Sequence, residues 1–146
     1  MKRKNLILLA VSMLILGACS KAPEKINFGS DMCHFCKMTI VDTQHAAQYV
    51  TKKGKQFKYD AIECVLNELS ETGIDKVSII LVSDYSNPGV MTDAKRATYL
   101  VSKNIQSPMG ANLSAFSKDE FAQGFVKADN DQLFTWKTIN EKFELK

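Results

Sequence analysis

The residues with the most chemical content stand together in Cys33-His34-Phe35-Cys36-Lys37-Met38: two thiols, one imidazole and one thioether in six consecutive positions. Thiolate and thioether are soft donors, and soft donors select Cu(I) over the harder divalent ions. The methionine carries most of the argument, because a zinc site has no use for a thioether and a redox dithiol does not need one. Residues 38–41 favour a strand. On a strand, Cys36 and Met38 would point to one face and could clasp one ion. The competing reading of Met38 is simple core packing.

Other readings of the Cys33-x-x-Cys36 pair meet specific obstacles. Covalent haem attachment needs a His directly after the second Cys, where Lys37 stands. A thioredoxin-type dithiol opens a helix whose dipole lowers the thiol pKa, whereas a strand is expected here. Structural zinc would draw four donors from Cys33, Cys36, Cys64, His34 and His45, but no second paired motif is present. Cys64 reads as a small buried hydrophobe on a helix, and His34 and His45 read as surface or loop residues. No Ser-His-Asp pattern, Gly-rich phosphate loop or carboxylate cluster stands out. With 7 Gly and 2 His, the chain reads as a binding protein and not an enzyme.

The elements that must position these donors follow from the pattern of the chain. Lys2, Arg3 and Lys4 precede an apolar run over residues 6–16, shorter than the roughly 20 residues a spanning helix needs. This is an export signal. It ends in Leu16-Gly17-Ala18-Cys19, which is similar to the lipobox of bacterial lipoproteins. Residues 1–18 are thus expected to be a lipoprotein signal peptide and Cys19 the lipidated first residue of the mature chain. Residues 19–32 would be a flexible tether, and residues 33–146 one compact domain. Loss of the signal takes three of the 19 basic residues, leaving 16 to face 16 acidic ones. A neutral mature chain argues against nucleic-acid binding. With Cys19 carrying lipid, Cys33, Cys36 and Cys64 remain, an odd number that a disulfide framework does not explain.

The domain is written twice. Ala47-Gln48-Tyr49-Val50-Thr51 and Ala97-Thr98-Tyr99-Leu100-Val101 read as strands with their tyrosines 50 residues apart. Each is followed by a helix signal with Glu three residues after the cap: Asp60 to Glu63 and Ser117 to Glu120. The first helix should bury Ile62, Val65, Leu66 and Leu69, and the second Phe121 and Phe125. A strand over residues 38–42 should open the first unit. Val77–Ser83 should be a buried central strand joining the halves. The units are expected at about 36–72 and 77–128, in an α+β fold of two ββα-type units packed as one small domain. The tail after Leu133 is ambiguous, with Trp136 packing it onto the body. The caps are 57 residues apart against 50 for the tyrosines, so unit two holds seven additional residues. They include Ser107-Pro108-Met109-Gly110, a loop sequence. Met109 there is either a further soft donor or a loop residue folded back onto the core.

Cys36-Lys37-Met38 followed by Thr39-Ile40-Val41-Asp42 and Ala46-Ala47-Gln48 resembles the NosL family, lipoprotein copper chaperones for nitrous oxide reductase. The resemblance runs on through Tyr59-Asp60-Ala61-Ile62-Glu63-Cys64, Val82-Ser83-Asp84-Tyr85, Thr92-Asp93-Ala94 and Pro108-Met109-Gly110 to Phe116. It implies two ββα-type units and a role in binding Cu(I) outside the cytoplasm for delivery to a copper enzyme, nitrous oxide reductase, with its transport and maturation machinery as partners. It implies Cys36, Met38 and Met109 as copper ligands. Two departures stand out. Cys33 is a thiol the family's Cys-x-Met pattern does not require, and Ala111 and Asn112 follow Met109-Gly110 where a loop histidine could have served. The alternative is a periplasmic thiol–disulfide protein using Cys33 and Cys36. Either way the chain would be a membrane-anchored lipoprotein facing the periplasm or cell exterior.

Overall fold

The computed structural model describes residues 22–144, so the expected signal peptide and Cys19 lie outside the described residues. The chain runs β1 (Ala47–Thr51), β2 (Gln56–Tyr59), α1 (Ile62–Thr72), a 3₁₀ turn (Ile74–Lys76), β3 (Val77–Ser83) and β4 (Met91–Asp93). It continues through β5 (Thr98–Val101), β6 (Leu113–Phe116), α2 (Asp119–Phe125), β7 (Gln132–Phe134) and α3 (Trp136–Lys142). The strands form two antiparallel sheets, ordered β2-β1-β3-β4 and β6-β5-β7. The fold is α+β, as expected.

The repeat is present and one strand longer than the sequence reading drew it. In unit one, β1 pairs with β2 through Tyr49↔Phe57 and with β3 through Tyr49↔Ile80. In unit two, β5 pairs with β6 through Tyr99↔Ala115 and with β7 through Tyr99↔Phe134. Each unit is therefore ββαβ with its first strand in the middle. Val77–Ser83 closes unit one and does not open unit two. It buries Ile80 and Val82 on one face while Ile79 and Leu81 on the other are only partly buried, so it is not buried on both faces. The ambiguous tail supplies β7 and α3, and Trp136 lies 6.2 Å from the Tyr99 ring.

α1 forms because its apolar residues recur at helical spacing. Ile62, Val65, Leu66 and Leu69 are all fully buried. Its end is set by Gly73, whose φ of 84° favours glycine and whose N–H returns to the Leu69 carbonyl. The expected caps are displaced by one residue. Ala61 and Lys118 occupy the N-cap positions, and neither helix receives a side-chain cap. The polar side chains have better partners elsewhere: the Asp60 carboxyl accepts the Val41 amide, and Ser117 is bonded to Asp84. A capping box forms instead at Thr135 and Thr138 of α3. In α2, Phe125 packs toward Leu100 and Phe116, but Phe121 is 42% exposed with the Lys118 ammonium over its ring. Ala122 takes the buried position.

The seven additional residues of unit two lie between β5 and β6. The β1–β2 connection is residues 52–55, and the β5–β6 connection is residues 102–112. Residues 22–32, expected as tether, are instead docked on unit one. Ile26 is buried in the main core, Glu24 N–H bonds Gln56 Oε1 at 3.1 Å, and Gln56 Nε2 donates to the Ala22 carbonyl at 2.8 Å. The strand expected over residues 38–42 reduces to one bridge, Met32↔Thr39. Lys37 breaks it, with a left-handed φ of 65°.

Candidate metal centre

Cys33 and Cys36 sit on a tight turn that replaces the expected strand. Cys33 N–H donates to the Met38 carbonyl at 2.8 Å, and Lys37 N–H returns to the Cys33 carbonyl at 3.1 Å. The left-handed Lys37 costs a non-glycine residue about 1 kcal/mol or more. In return the Cys36 amide points at Cys33 Sγ, 3.4 Å away. The alternation argument that paired Cys36 with Met38 therefore does not apply to this backbone.

Two sets of bonds fix the turn against unit one. His34 N–H donates to the Lys58 carbonyl at 2.8 Å, and Lys58 Nζ reaches Asp31 Oδ2 at 2.6 Å. The Asn27 amide and this ammonium hold the Asp31 carboxyl below its usual range. On the other side, the Asp60 amide faces Cys33 while the Asp60 carboxyl takes the Val41 amide. That clamp sets the turn over the start of α1, whose third residue is Cys64.

The result is a cluster of three thiols. The Sγ atoms of Cys33, Cys36 and Cys64 all lie within 4.8 Å of one another. Cys33 and Cys64 are 1% and 0% exposed, and Cys36 is half-buried. None is in a disulfide. Among the described residues this is the one group of three or more Cys, His, Asp or Glu side chains placed to share an ion. The thiols are not equivalent. Cys33 is pulled down to about 4 by the hydrogen bond from Cys64, with the amides of Asp60 and Cys36 adding to it against the cost of burial. The Cys64 thiol is pushed up by holding the shared proton and by burial, and Cys36 by burial and by the neighbouring Cys33. A negative sulfur is thus stabilised at Cys33, with two further thiols beside it, an arrangement that suits a soft metal ion.

The remaining candidates are distributed around this cluster. Met38 is 50% exposed and Met109 40% exposed. The Met109 loop is tied to α1 at the residue before Cys64. Ser107 Oγ donates to the Glu63 carboxylate, and Ala111 N–H donates to Glu63 Oε1 at 3.2 Å. Asn112 N–H closes the loop onto Ser107 Oγ at 2.9 Å, and Gly110 supports the turn with φ 79°. The histidines stand apart from the sulfurs. His34 stacks edge-on to Phe57 and lies 3.9 Å from Glu68. His45 lies in the turn before β1, as the loop reading expects, but it is buried there and not at the surface. Its Nδ1 meets Asp42 Oδ2 at 2.8 Å and its Nε2 meets Ser114 Oγ at 3.1 Å, so both ring nitrogens are engaged.

Cys64 is the small buried residue on a helix that the sequence predicts, and it also stands in the three-thiol cluster, which the sequence does not predict. A signal was present: an odd third thiol in the first turn of a helix, where the positive end of the helix dipole favours a thiolate. Its partners could not be read locally, because they lie some thirty residues earlier and only the docked segment brings them to it.

Fold and site together define a small α+β domain carrying a largely buried three-sulfur cluster. The chain belongs to the NosL family, whose model matches residues 26–143. The fold is similar to the crystal structure of the copper chaperone NosL from Shewanella denitrificans, with a TM-score of 0.70 and 20% identity over 80% of this chain and 94% of that chain. Comparison with curated proteins gave no match.

Proposed function

We propose that this chain is a lipid-anchored carrier of Cu(I), not an enzyme, and that it delivers the ion outside the cytoplasm to a copper enzyme. Nitrous oxide reductase during assembly of its copper centres is the proposed client. The observation that carries the reading is the meeting of three sulfurs within 4.8 Å in a chain that has no comparable oxygen or nitrogen site among its described residues. Membership of the NosL family supports copper as the cargo. The family resemblance points to Cys36, Met38 and Met109, with Cys33 beside them, as the sulfurs that handle the ion. The thiol–disulfide alternative is weakened by the geometry, because the activated sulfur belongs to Cys33, a residue only 1% exposed.

The test is anaerobic Cu(I) titration of the reduced, detergent-solubilised full chain, with metal analysis of protein taken from its own membrane fraction. One tightly held Cu(I) per chain, transferable to copper-free nitrous oxide reductase, is the expected result. Protein that binds no Cu(I), or binds it without passing it on, overturns the function. Retention of the Cys19→Ala variant in the membrane fraction overturns the lipid anchor alone.

A further inference from the structure

We infer that the copper site has two layers: an inner seat made of Cys33, Cys36 and Cys64, where the ion rests, and an outer set of thioethers, Met32, Met38 and Met109, that takes over during transfer. This rests on the copper-carrier reading above. It changes the ligand assignment, because Cys64 becomes a ligand and the methionines leave the resting site.

The inner seat has the dimensions of a trigonal sulfur site. A metal–thiolate bond of about 2.3 Å, as zinc shows, puts three coplanar donors about 4.0 Å apart. The three Sγ atoms already lie within 4.8 Å, so closing on an ion requires shifts below an ångström. The surroundings suit concentrated negative charge. Amides of Asp60 and Cys36 face Cys33, the Met38 amide faces Cys36, and Cys64 lies in the first turn of α1. Such contacts from beyond the ligands orient the donors and hold their charge. The seat is also closed, since two of its three sulfurs are buried.

The outer set has the opposite character. Met32, Met38 and Met109 are 62%, 50% and 40% exposed, against the usual preference of methionine for the interior. Met32 and Met38 flank the Cys33–Cys36 turn, and the Met109 loop is fastened to Glu63, one residue from Cys64. Thioethers are neutral and hold Cu(I) less strongly than thiolates do. Placed at the surface, they can take an ion from the seat and present it to an incoming ligand. Cys36 is the half-buried member of the triad and is the sulfur through which the layers connect. Transfer is then ligand exchange with no change in the oxidation state of copper.

Two variants of the full chain test the assignment, each loaded with Cu(I) anaerobically. X-ray absorption at the copper edge should report three sulfur neighbours in the parent. The triple variant Met32→Leu, Met38→Leu, Met109→Leu changes exposed residues only. It should keep three sulfurs and an affinity within about threefold of the parent, while passing Cu(I) to a chelating acceptor more than about tenfold more slowly. Cys64→Ala should drop to two sulfurs and lose at least about tenfold in affinity. Loss of a sulfur or of tight binding in the methionine variant overturns the inner seat. Undiminished transfer overturns the outer role. Parent-like binding by Cys64→Ala, with its fold confirmed by circular dichroism, also overturns the seat; if that variant does not fold, the methionine variant decides. A parent that takes up no Cu(I) refutes the carrier function itself.

Discussion

The two ββαβ units share topology and strand register, yet one holds the chemistry and the other holds a loop. α1 and α2 begin at Ile62 and Asp119, so the third helical position is Cys64 in unit one and Phe121 in unit two. Cys64 is fully buried and Phe121 lies 42% exposed. The repeat itself does not account for this. What differs is the cover: residues 22–42 cross the start of α1 and bring Cys33 and Cys36 down onto it. Unit two departs elsewhere, between its first two strands, where residues 102–112 replace a four-residue hairpin connection and send Ser107 and Ala111 back to Glu63. A repeated scaffold thus becomes a site through one added segment on the first copy and one inserted loop on the second.

The sharpest way to break this comparison is to truncate one large apolar side chain in each helix. Leu66→Ala removes a fully buried side chain from α1 and should destabilise the protein by about 2–5 kcal/mol. Phe121→Ala in α2 should stay within about 0.5 kcal/mol. Urea denaturation of both variants checks this, and equal losses would mean that the second helix is seated as deeply as the first. Next in size is the strap between units. Glu63→Ala leaves the Ser107 hydroxyl and the Ala111 amide without their acceptor and should cost about 1–3 kcal/mol. Hydrogen exchange should rise in residues 107–112 first. Unchanged protection of that loop would show that Glu63 does not hold it.

The smallest effect is a pH dependence confined to unit one's side of the joint. Burial works against the Asp42 carboxylate, but the His45 ring and the amides of Gln44 and His45 prevail and hold its pKa below the ordinary value. A carboxyl lowered in the folded state stabilises fully above its unfolded pKa, about 3.9. That contribution disappears as pH falls through the folded value. Melting temperature should therefore fall as pH drops below about 4, and Asp42→Asn should flatten the slope without changing its direction. A parent profile flat across this range contradicts the contact.

Much of this arrangement was legible in the chain. The α1 stripe, the paired tyrosine strands and the seven-residue insertion all follow from local pattern, because periodicity and turn chemistry act over a few residues. What was not legible was decided by partners distant in sequence. Asp60 and Ser117 look like helix caps until Val41 and Asp84 claim them. Residues 38–42 carry strand-forming side chains, but the left-handed Lys37 turns the chain into a sulfur-bearing loop. His45 is a loop residue as it looks, but Asp42 and Ser114 take both its nitrogens and bury it. Cys64 looks like filler until two other thiols arrive. Cys36 was recognisable because its motif is contiguous.

The docking of residues 22–34 against β2 also bears on how the protein behaves in company. β2 is the outer strand of its sheet, and an open outer strand offers its backbone to any other extended chain. Here the His34 N–H takes the Lys58 carbonyl, while the Gln56 and Lys58 side chains are engaged by the backbone of Ala22, Glu24 and Lys25. The same stretch that completes the sulfur cluster therefore lies along the β2 border, so neighbouring copies crowded together find that strand partly occupied instead of free to zip onto.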